Sequence, residues 1–314
     1  MSDIHAALVE EAGAAPRFRS MPDPVAGPGQ EIVDVLAVGI HQVTRGIASG
    51  RHYVRRQVPF VPGVDGVVRR ADGSLAAVIG PETGTMAQRL AVDPSALIPL
   101  PDGDPALLAA SLNPVISSWM AVRARVDVVG RAVLVLGATG TSGAAAVRVV
   151  RHLGATRVVA AGRDETRLAA LGADADAVVP LGDPDRAAAA LAAEAADVDV
   201  VLDYLWGPVT ELALRAILGA RADESQLLDW IEIGSVAGAE ITLPAGALRS
   251  RALRLSGSGI GSTPAETFRR EAPLAAAAIL AGVTGVTPRR VPLTDVEEAW
   301  AHDDAPGERT VIML

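Results

Sequence analysis

The plainest chemical signal in the chain is the stretch Gly137-Ala138-Thr139-Gly140-Thr141-Ser142-Gly143. The apolar, β-branched run from Ala132 to Leu136 precedes it and reads as a strand buried on both faces. Apolar residues at 146, 147, 150 and 153 follow at helical spacing, Gly154 ends that helix, and Val158 to Ala161 reads as a second strand. A glycine-rich turn between a strand and a helix lets backbone approach a pyrophosphate, whose charge meets the helix N-terminus. The loop residues Gly137, Thr139, Gly140, Thr141, Ser142 and Gly143 are therefore candidate dinucleotide ligands. A strand-turn-helix without ligand is the alternative, and the second strand on schedule argues against it.

The end of the second strand selects the dinucleotide. An NAD site places Asp or Glu there for the ribose 2′-hydroxyl. This chain has Gly162 and then Arg163, with Arg167 one helical turn on. A planar guanidinium suits a 2′-phosphate, so these residues point to NADP(H). The competing reading is a solvated arginine at a helix start. Gly234-Ser235-Val236 and Ser258-Gly259 each follow a core strand, where backbone groups reach the nicotinamide side of such a crevice.

The inventory for proton handling is short: five histidines, Tyr53, Tyr204 and the carboxylates. The chain has no cysteine and no lysine, all 28 basic residues being arginine. That excludes disulfides, thiol nucleophiles, cysteine-ligated zinc, Schiff-base chemistry and a P-loop lysine. A net charge of −9 argues against nucleic-acid binding. The N-terminal residues carry no signal-peptide core, and the best apolar run, Leu274 to Val283, is half a membrane span. These features lead to the expectation of a cytoplasmic protein with no membrane segment.

The 314 residues suffice for two domains. Before Pro105, short strands punctuated by Gly and Pro suggest a small β-barrel or sandwich. These are Ala6 to Val9, Glu31 to Ile40, Val64 to Arg69, Leu75 to Ile79 and Met86 to Val92, with Glu11 to Gln30 reading as loop. Asp72-Gly73 marks a hairpin. Leu107 to Leu112 and Ser117 to Arg125 read as helices. Six strands then alternate with helices: Ala132–Leu136, Val158–Ala161, Ala177–Val179, Val198–Asp203, Trp230–Gly234 and Leu253–Gly257. Six is the number in a doubly wound dinucleotide-binding domain.

Several ordered segments carry a family resemblance. They include Val35 to Ile40, Ser49-Gly50 before Tyr53, Pro62 to Val68, Pro99 to Gly103, Ser117-Ser118-Trp119 and the Gly137 to Gly143 loop. Gly172-Ala173-Asp174, Asp199 to Asp203, Gly234-Ser235 and Gly307 before Thr310-Val311-Ile312 complete the set. From about Val33 to the C-terminus the chain resembles a medium-chain dehydrogenase/reductase of the zinc-free, quinone oxidoreductase-like branch. The resemblance implies an α/β fold. A GroES-like β-barrel catalytic domain (1–116 and 265–314) would be interrupted by a Rossmann NADP-binding domain (117–264), with the cofactor in the cleft and a homodimer as the assembly.

The resemblance also implies roles. Tyr53 lies where relatives place an active-site tyrosine, and His41 lies at a strand end where relatives have asparagine. Ser117 matches a hydroxyl near the nicotinamide, and Asp203 ends the matching fourth strand. Where zinc-dependent relatives have Gly-His-Glu, this chain reads Gly63-Val64-Asp65, which together with the missing cysteines implies no metal. Thr44 and Gly46 replace an acid and a tyrosine of many relatives. The expected activity is NADPH-dependent hydride transfer to a quinone or α,β-unsaturated carbonyl, with Tyr53 and His41 as catalytic donors. A non-catalytic NADPH-binding sensor and a metal-free alcohol dehydrogenase or ketoreductase remain alternatives on the same scaffold.

Overall fold

The run Glu31 to Gly39 folds as strand β3, and its alternation sets the first sheet. Val33, Val35 and Ala37 are buried while Asp34 is exposed. The structure, a computed structural model, describes residues 3–51, 54–80 and 83–314. It divides into two units, one of Met1–Asn113, Ala272–Gly282 and Val286–Leu314, the other of Pro114–Glu271 and Val283–Gly285.

The first unit is built on mixed sheets. Its strands are β1 (Asp3–Leu8), β2 (Arg17–Pro22), β3, β4 (Asp65–Arg69), β5 (Leu75–Ile79), β6 (Arg89–Val92) and β7 (Leu97–Pro99), with helix α1 (Gln42–Ala48) after β3. The C-terminal return adds β14 (Thr287–Pro292), α9 (Val296–Ala301) and β15 (Glu308–Met313). The larger sheet runs β14-β15-β3-β4-β5-β7, with β6 also on β3. All its pairs are antiparallel except β14 with β15. The expected hairpin joins β4 and β5. Gly73 takes the left-handed conformation its turn needs (φ 86°), and Asp72 accepts from the Ser74 amide and hydroxyl. Valine, alanine, isoleucine and leucine, with Met86, fill the core.

Residues 11–30, read as loop because of their prolines, contain β2. This strand pairs antiparallel with β1, Phe18 stacks on His5 with ring centroids 4.8 Å apart, and Arg19 pairs with Glu10 at 2.9 Å. Cross-strand contacts outweigh the local turn signals here.

Helix α2 (Pro105–Arg125) replaces the two separate helices expected across Pro114. By length and composition it could cross a membrane, which corrects the reading that no run approaches that length; 78% of its apolar window is buried in protein, as in a core helix. The division between the units falls on this helix, at Pro114.

The second unit alternates strand and helix. It contains β8 (Ala132–Leu136), α3 (Thr141–His152), β9 (Arg157–Gly162), α4 (Glu165–Ala170), β10 (Ala177–Pro180) and α5 (Pro184–Glu194). After these come β11 (Val200–Asp203), α6 (Gly207–Ala220), β12 (Leu228–Glu232), α7 (Ala245–Ser250) and β13 (Leu253–Gly257), then the start of α8 (Ala265–Leu280). Its six-stranded sheet is parallel throughout, in the order β10-β9-β8-β11-β12-β13. The order reverses between β8 and β11, so the switch point lies beside the glycine-rich turn. Residues of α2, α3 and α4 cover one face, and α5 and α6 the other. Strands buried on both faces must be apolar throughout, which explains the unbroken Val-Leu runs.

One polar group is central to this unit. Asp203 is completely buried. Its Oδ1 accepts from the Leu205 and Trp206 amides at 2.8 and 3.1 Å, and its Oδ2 from Thr210 Oγ1 and Trp230 Nε1 at 2.6 and 2.9 Å. It thereby ties the β11 turn to α6 and β12. Asp203→Ala strands two buried donors, Thr210 and Trp230, and two partly buried amides, and should destabilise the protein by about 3 kcal/mol or more. The expected result is a lower urea midpoint at unchanged m-value; a wild-type midpoint would contradict this account of Asp203.

Candidate functional site

The turn after β8 is shaped by what its glycines exclude. Gly137 has φ 91°, and its amide and that of Ala138 both donate to Ala161 O at 2.9 Å. A Cβ on Gly143 would stand 2.2 Å from Gly137 O, so α3 can approach the turn only with glycine there. At Gly140 a Cβ would meet nothing nearer than 3.5 Å, which leaves that backbone open. Gly140 is also the N-cap of α3 and has no side chain to cap the first turn. The positive end of a twelve-residue helix is thus presented behind a backbone cradle, the arrangement that accepts a phosphate.

Gly162 has a local reason to be glycine. A Cβ there would lie 2.4 Å from Thr139 Cγ2, so Thr139 fills the place where an acidic residue would start. Arg163 follows, exposed, and among the described residues none pairs with it. Arg167 donates to Thr139 O at 3.3 Å and pairs with Asp164 at 3.3 Å. Asp164 caps α4 by accepting from the Arg167 amide. The Arg167 guanidinium therefore reaches the rim of the glycine turn, and Arg163 follows Gly162, with no acid at position 162.

At the switch point the turns after β11 and β12 zip together. The Ile233 and Gly234 amides donate to Asp203 O, and Val236 and Ala237 donate to Tyr204 O and Leu205 O. A Cβ on Gly234 would meet Tyr204 O at 3.2 Å. Ser235 lies in this turn, and Val236 is exposed. Ser258 is buried, its amide bonded to Glu232 O, while Gly259 is exposed beyond β13. Asp203 differs from its expected role: its carboxylate is consumed by the fold, as shown above, and is not presented to a ligand.

Ser117 has a partner that sequence order did not reveal. Its Oγ donates to Pro114 O at 2.8 Å and so accepts from the Tyr204 hydroxyl at 3.0 Å. The Tyr204 ring lies beside the glycine turn, with Cβ 3.2 Å from where a Gly137 Cβ would be. Burial pushes the Tyr204 phenol up to about 12, against the opposing hydrogen bonds of Ser117 and Ser118. Tyr204 is therefore a neutral, directed donor that orients Ser117.

In the first unit, His41 occupies the N-cap position of α1 without a side-chain capping bond and is 3% exposed. Gly39 makes room for its ring: a Cβ there would be 2.6 Å from His41 Nε2 and from Ala109 O. His41 Nε2 lies 3.3 Å from Asp65 Oδ1, and both side chains are buried. These two atoms and Thr44 Oγ1 are buried without a hydrogen bond to any described residue. Unsatisfied polar atoms are costly inside a core, which makes these residues candidates for a functional role. In the sequence, Asp65 stands out only as a departure from a metal-binding turn. Tyr53 lies outside the described residues. Among the described residues, His302, Asp304 and Glu308 have spacing suited to a metal. Glu308 instead faces His302 at 3.1 Å, while Asp304 accepts from Thr310 and pairs with Arg309.

No protein-family model matches the chain. Over 99% of its length it is 32% identical to the probable NADPH-dependent quinone reductase tdiC of Emericella nidulans, all of which is covered. The quinone oxidoreductase of Thermus thermophilus, solved alone and with NADPH, matches at TM-score 0.78 and 26% identity over 99% of this chain and 100% of that one. A mycobacterial quinone oxidoreductase shares the fold at TM-score 0.82 and 20% identity, over 99% and 100% of the two chains.

Tyr204 generates a pH prediction. Its pKa is raised on folding, so its contribution to stability is full below pH 10 and declines as pH rises toward 12. The decline should be about 1.4 kcal/mol per pH unit. Tyr204→Phe should flatten the stability curve between pH 10 and 11 by that amount, whereas equal slopes for both proteins would show that the phenol is not buried.

Proposed function

The chain belongs to the medium-chain dehydrogenase/reductase superfamily, in its quinone oxidoreductase-like branch, and from that membership we propose an NADPH-dependent reductase of quinones or α,β-unsaturated carbonyls. The carrying observation is the N-terminus of α3, without a side-chain cap, behind an open glycine cradle, with Arg167 at its rim and Gly162-Arg163 in place of an acid at the end of β9. The cradle would hold the pyrophosphate and the two arginines the 2′-phosphate. Ser117, oriented by Tyr204, and the backbone of Gly234 to Val236 would hold the nicotinamide end. When bound, NADPH supplies a hydride equivalent; the chain supplies orientation, a low-dielectric setting and a proton.

Reduction of an enone or quinone also needs a proton, and charge develops on the carbonyl oxygen. His41 and Asp65, buried and 3.3 Å apart, support the reading of a proton-handling pair for that task. Tyr53 is proposed as a second donor on the grounds of the family resemblance. The reaction is proposed to need no catalytic metal, because a chain without cysteine cannot assemble the cysteine ligands of zinc-dependent relatives.

Three measurements test the proposal. NADPH oxidation should be stimulated by a quinone or enone and not by simple ketones; failure with all quinones and enones at saturating NADPH would overturn it. Arg163→Ala should weaken NADPH binding roughly 10- to 150-fold, the value of about 1.5–3 kcal/mol for a charge-assisted bond, with NADH affected little. Equal losses for both cofactors would remove Arg163 from 2′-phosphate recognition. His41→Ala should lower turnover by about 10²-fold or more at unchanged NADPH affinity, and Tyr53→Phe similarly. Near-normal turnover in both variants would assign the proton to water.

A further inference from the structure

The peptide that leads into His41 is gripped from both sides by the last strand. Ile40 N donates to Thr310 O at 2.9 Å, and Ile40 O accepts from Arg309 Nη1 at 3.0 Å. Arg309 is 9% exposed, and Thr310 is wholly buried. Asp304 sets both of them. Its Oδ1 accepts from the Thr310 amide and hydroxyl, and its Oδ2 pairs with Arg309 Nη1 at 3.4 Å. A second arginine, Arg45 on α1, holds the same C-terminal return. Its guanidinium donates to Trp300 O and His302 O and lies 5.4 Å from the Trp300 ring centroid.

This is more than closing the sheet requires. A strand-end carbonyl is satisfied by any neutral donor or by water, whereas a guanidinium taken out of water is costly. Burial lowers the pKa of Arg309 from its ordinary value, and the Asp304 carboxylate opposes that fall. Smaller effects come from Arg45, which lowers it, and from Asp65, which raises it. The partner of His41 is thus within electrostatic reach of this guanidinium. The His41 ring is treated differently from its backbone. Its Nε2 stands 3.3 Å from Asp65 Oδ1, and among the described residues no hydrogen bond holds it. A nitrogen that is to pass a proton stays available only if other atoms fix its place, and here the backbone does so.

We propose that Arg309 is a positioning residue for His41. It holds the Ile40 carbonyl, and with it the start of α1, so that the imidazole keeps its place beside Asp65 with Nε2 left for substrate. The role rests on the reading of His41 as a proton donor in the reduction. Lysine is no substitute at this position. The planar guanidinium offers fixed donors to the Ile40 carbonyl and to Asp304 at once, whereas an ammonium on a flexible stem is a point charge.

The test is NADPH-dependent reduction of 1,4-benzoquinone by the full chain, compared in a cycle of Arg309→Lys, His41→Ala and the double variant. Arg309→Lys should lower kcat about tenfold or more at unchanged NADPH affinity. In the His41→Ala background the same change should cost nothing further, because the residue it positions is gone. The nitrogen chemical shifts of the His41 ring, assigned by their loss in His41→Ala, should move in Arg309→Lys while those of His5 and His152 stay. This readout needs no turnover, so it separates failure of the positioning from failure of the proposed reduction. Asp304→Asn keeps an acceptor for Thr310 and removes the charge paired with Arg309. It should show the same pattern in milder form, and it carries the test if Arg309→Lys folds poorly. An equal loss in both backgrounds would make Arg309 a purely structural residue and overturn the proposal, as would wild-type kcat with unmoved His41 shifts. Wild-type kcat in His41→Ala would instead remove the reading of His41, and this proposal with it.

Discussion

The second unit depends on how closely α3 approaches the end of β8. With a Cβ at position 143 only 2.2 Å from Gly137 O, no other residue fits without moving backbone. That proximity places the N-terminus of α3 directly behind the turn and aims its dipole where the sheet order reverses. The approach of α3 to this turn is a packing property before it is an electrostatic one. Arg167 adds positive charge beside the same turn, its guanidinium donating to Thr139 O.

Asp203 performs a second task that is easily mistaken for recognition. It stands at a strand end on the ligand-facing side of the sheet, where an acid invites a reading as a ligand. Its four hydrogen bonds instead knot the turn after β11 to α6 and to Trp230. This buried carboxylate is held by donors alone, with no cationic side chain among them. By holding that turn, it fixes Tyr204 on one face of the sheet and Trp206 on the other.

Much of this was legible in the residues. The βαβ core around 132–163 could be read because a two-sided strand, a helix face and a glycine turn each leave a periodic trace. The antiparallel hairpin was announced by Asp72-Gly73. Less visible were interactions between distant positions. β2 formed in a proline-rich stretch because β1 offered an edge. Two helices became one because Pro114 did not interrupt α2. The end of β12 lies at Glu232 and not Gly234, which moves Glu232 from the strand interior to the sheet margin. The pairs His41–Asp65 and Ser117–Tyr204 join residues 24 and 87 positions apart. No local pattern encodes such partners, although both tyrosine and histidine were already conspicuous as rare titratable groups.

The contact between Thr139 and Gly162 bears on how the dinucleotide preference of this lineage can change. An acid at 162 is the obvious single step toward an NAD site, but its first carbon would collide with the threonine methyl at 2.4 Å. The step requires the Thr139 side chain to turn away or to be replaced by a smaller one. The preference is thereby buffered by sterics in the loop, as an instance of epistasis written in van der Waals radii.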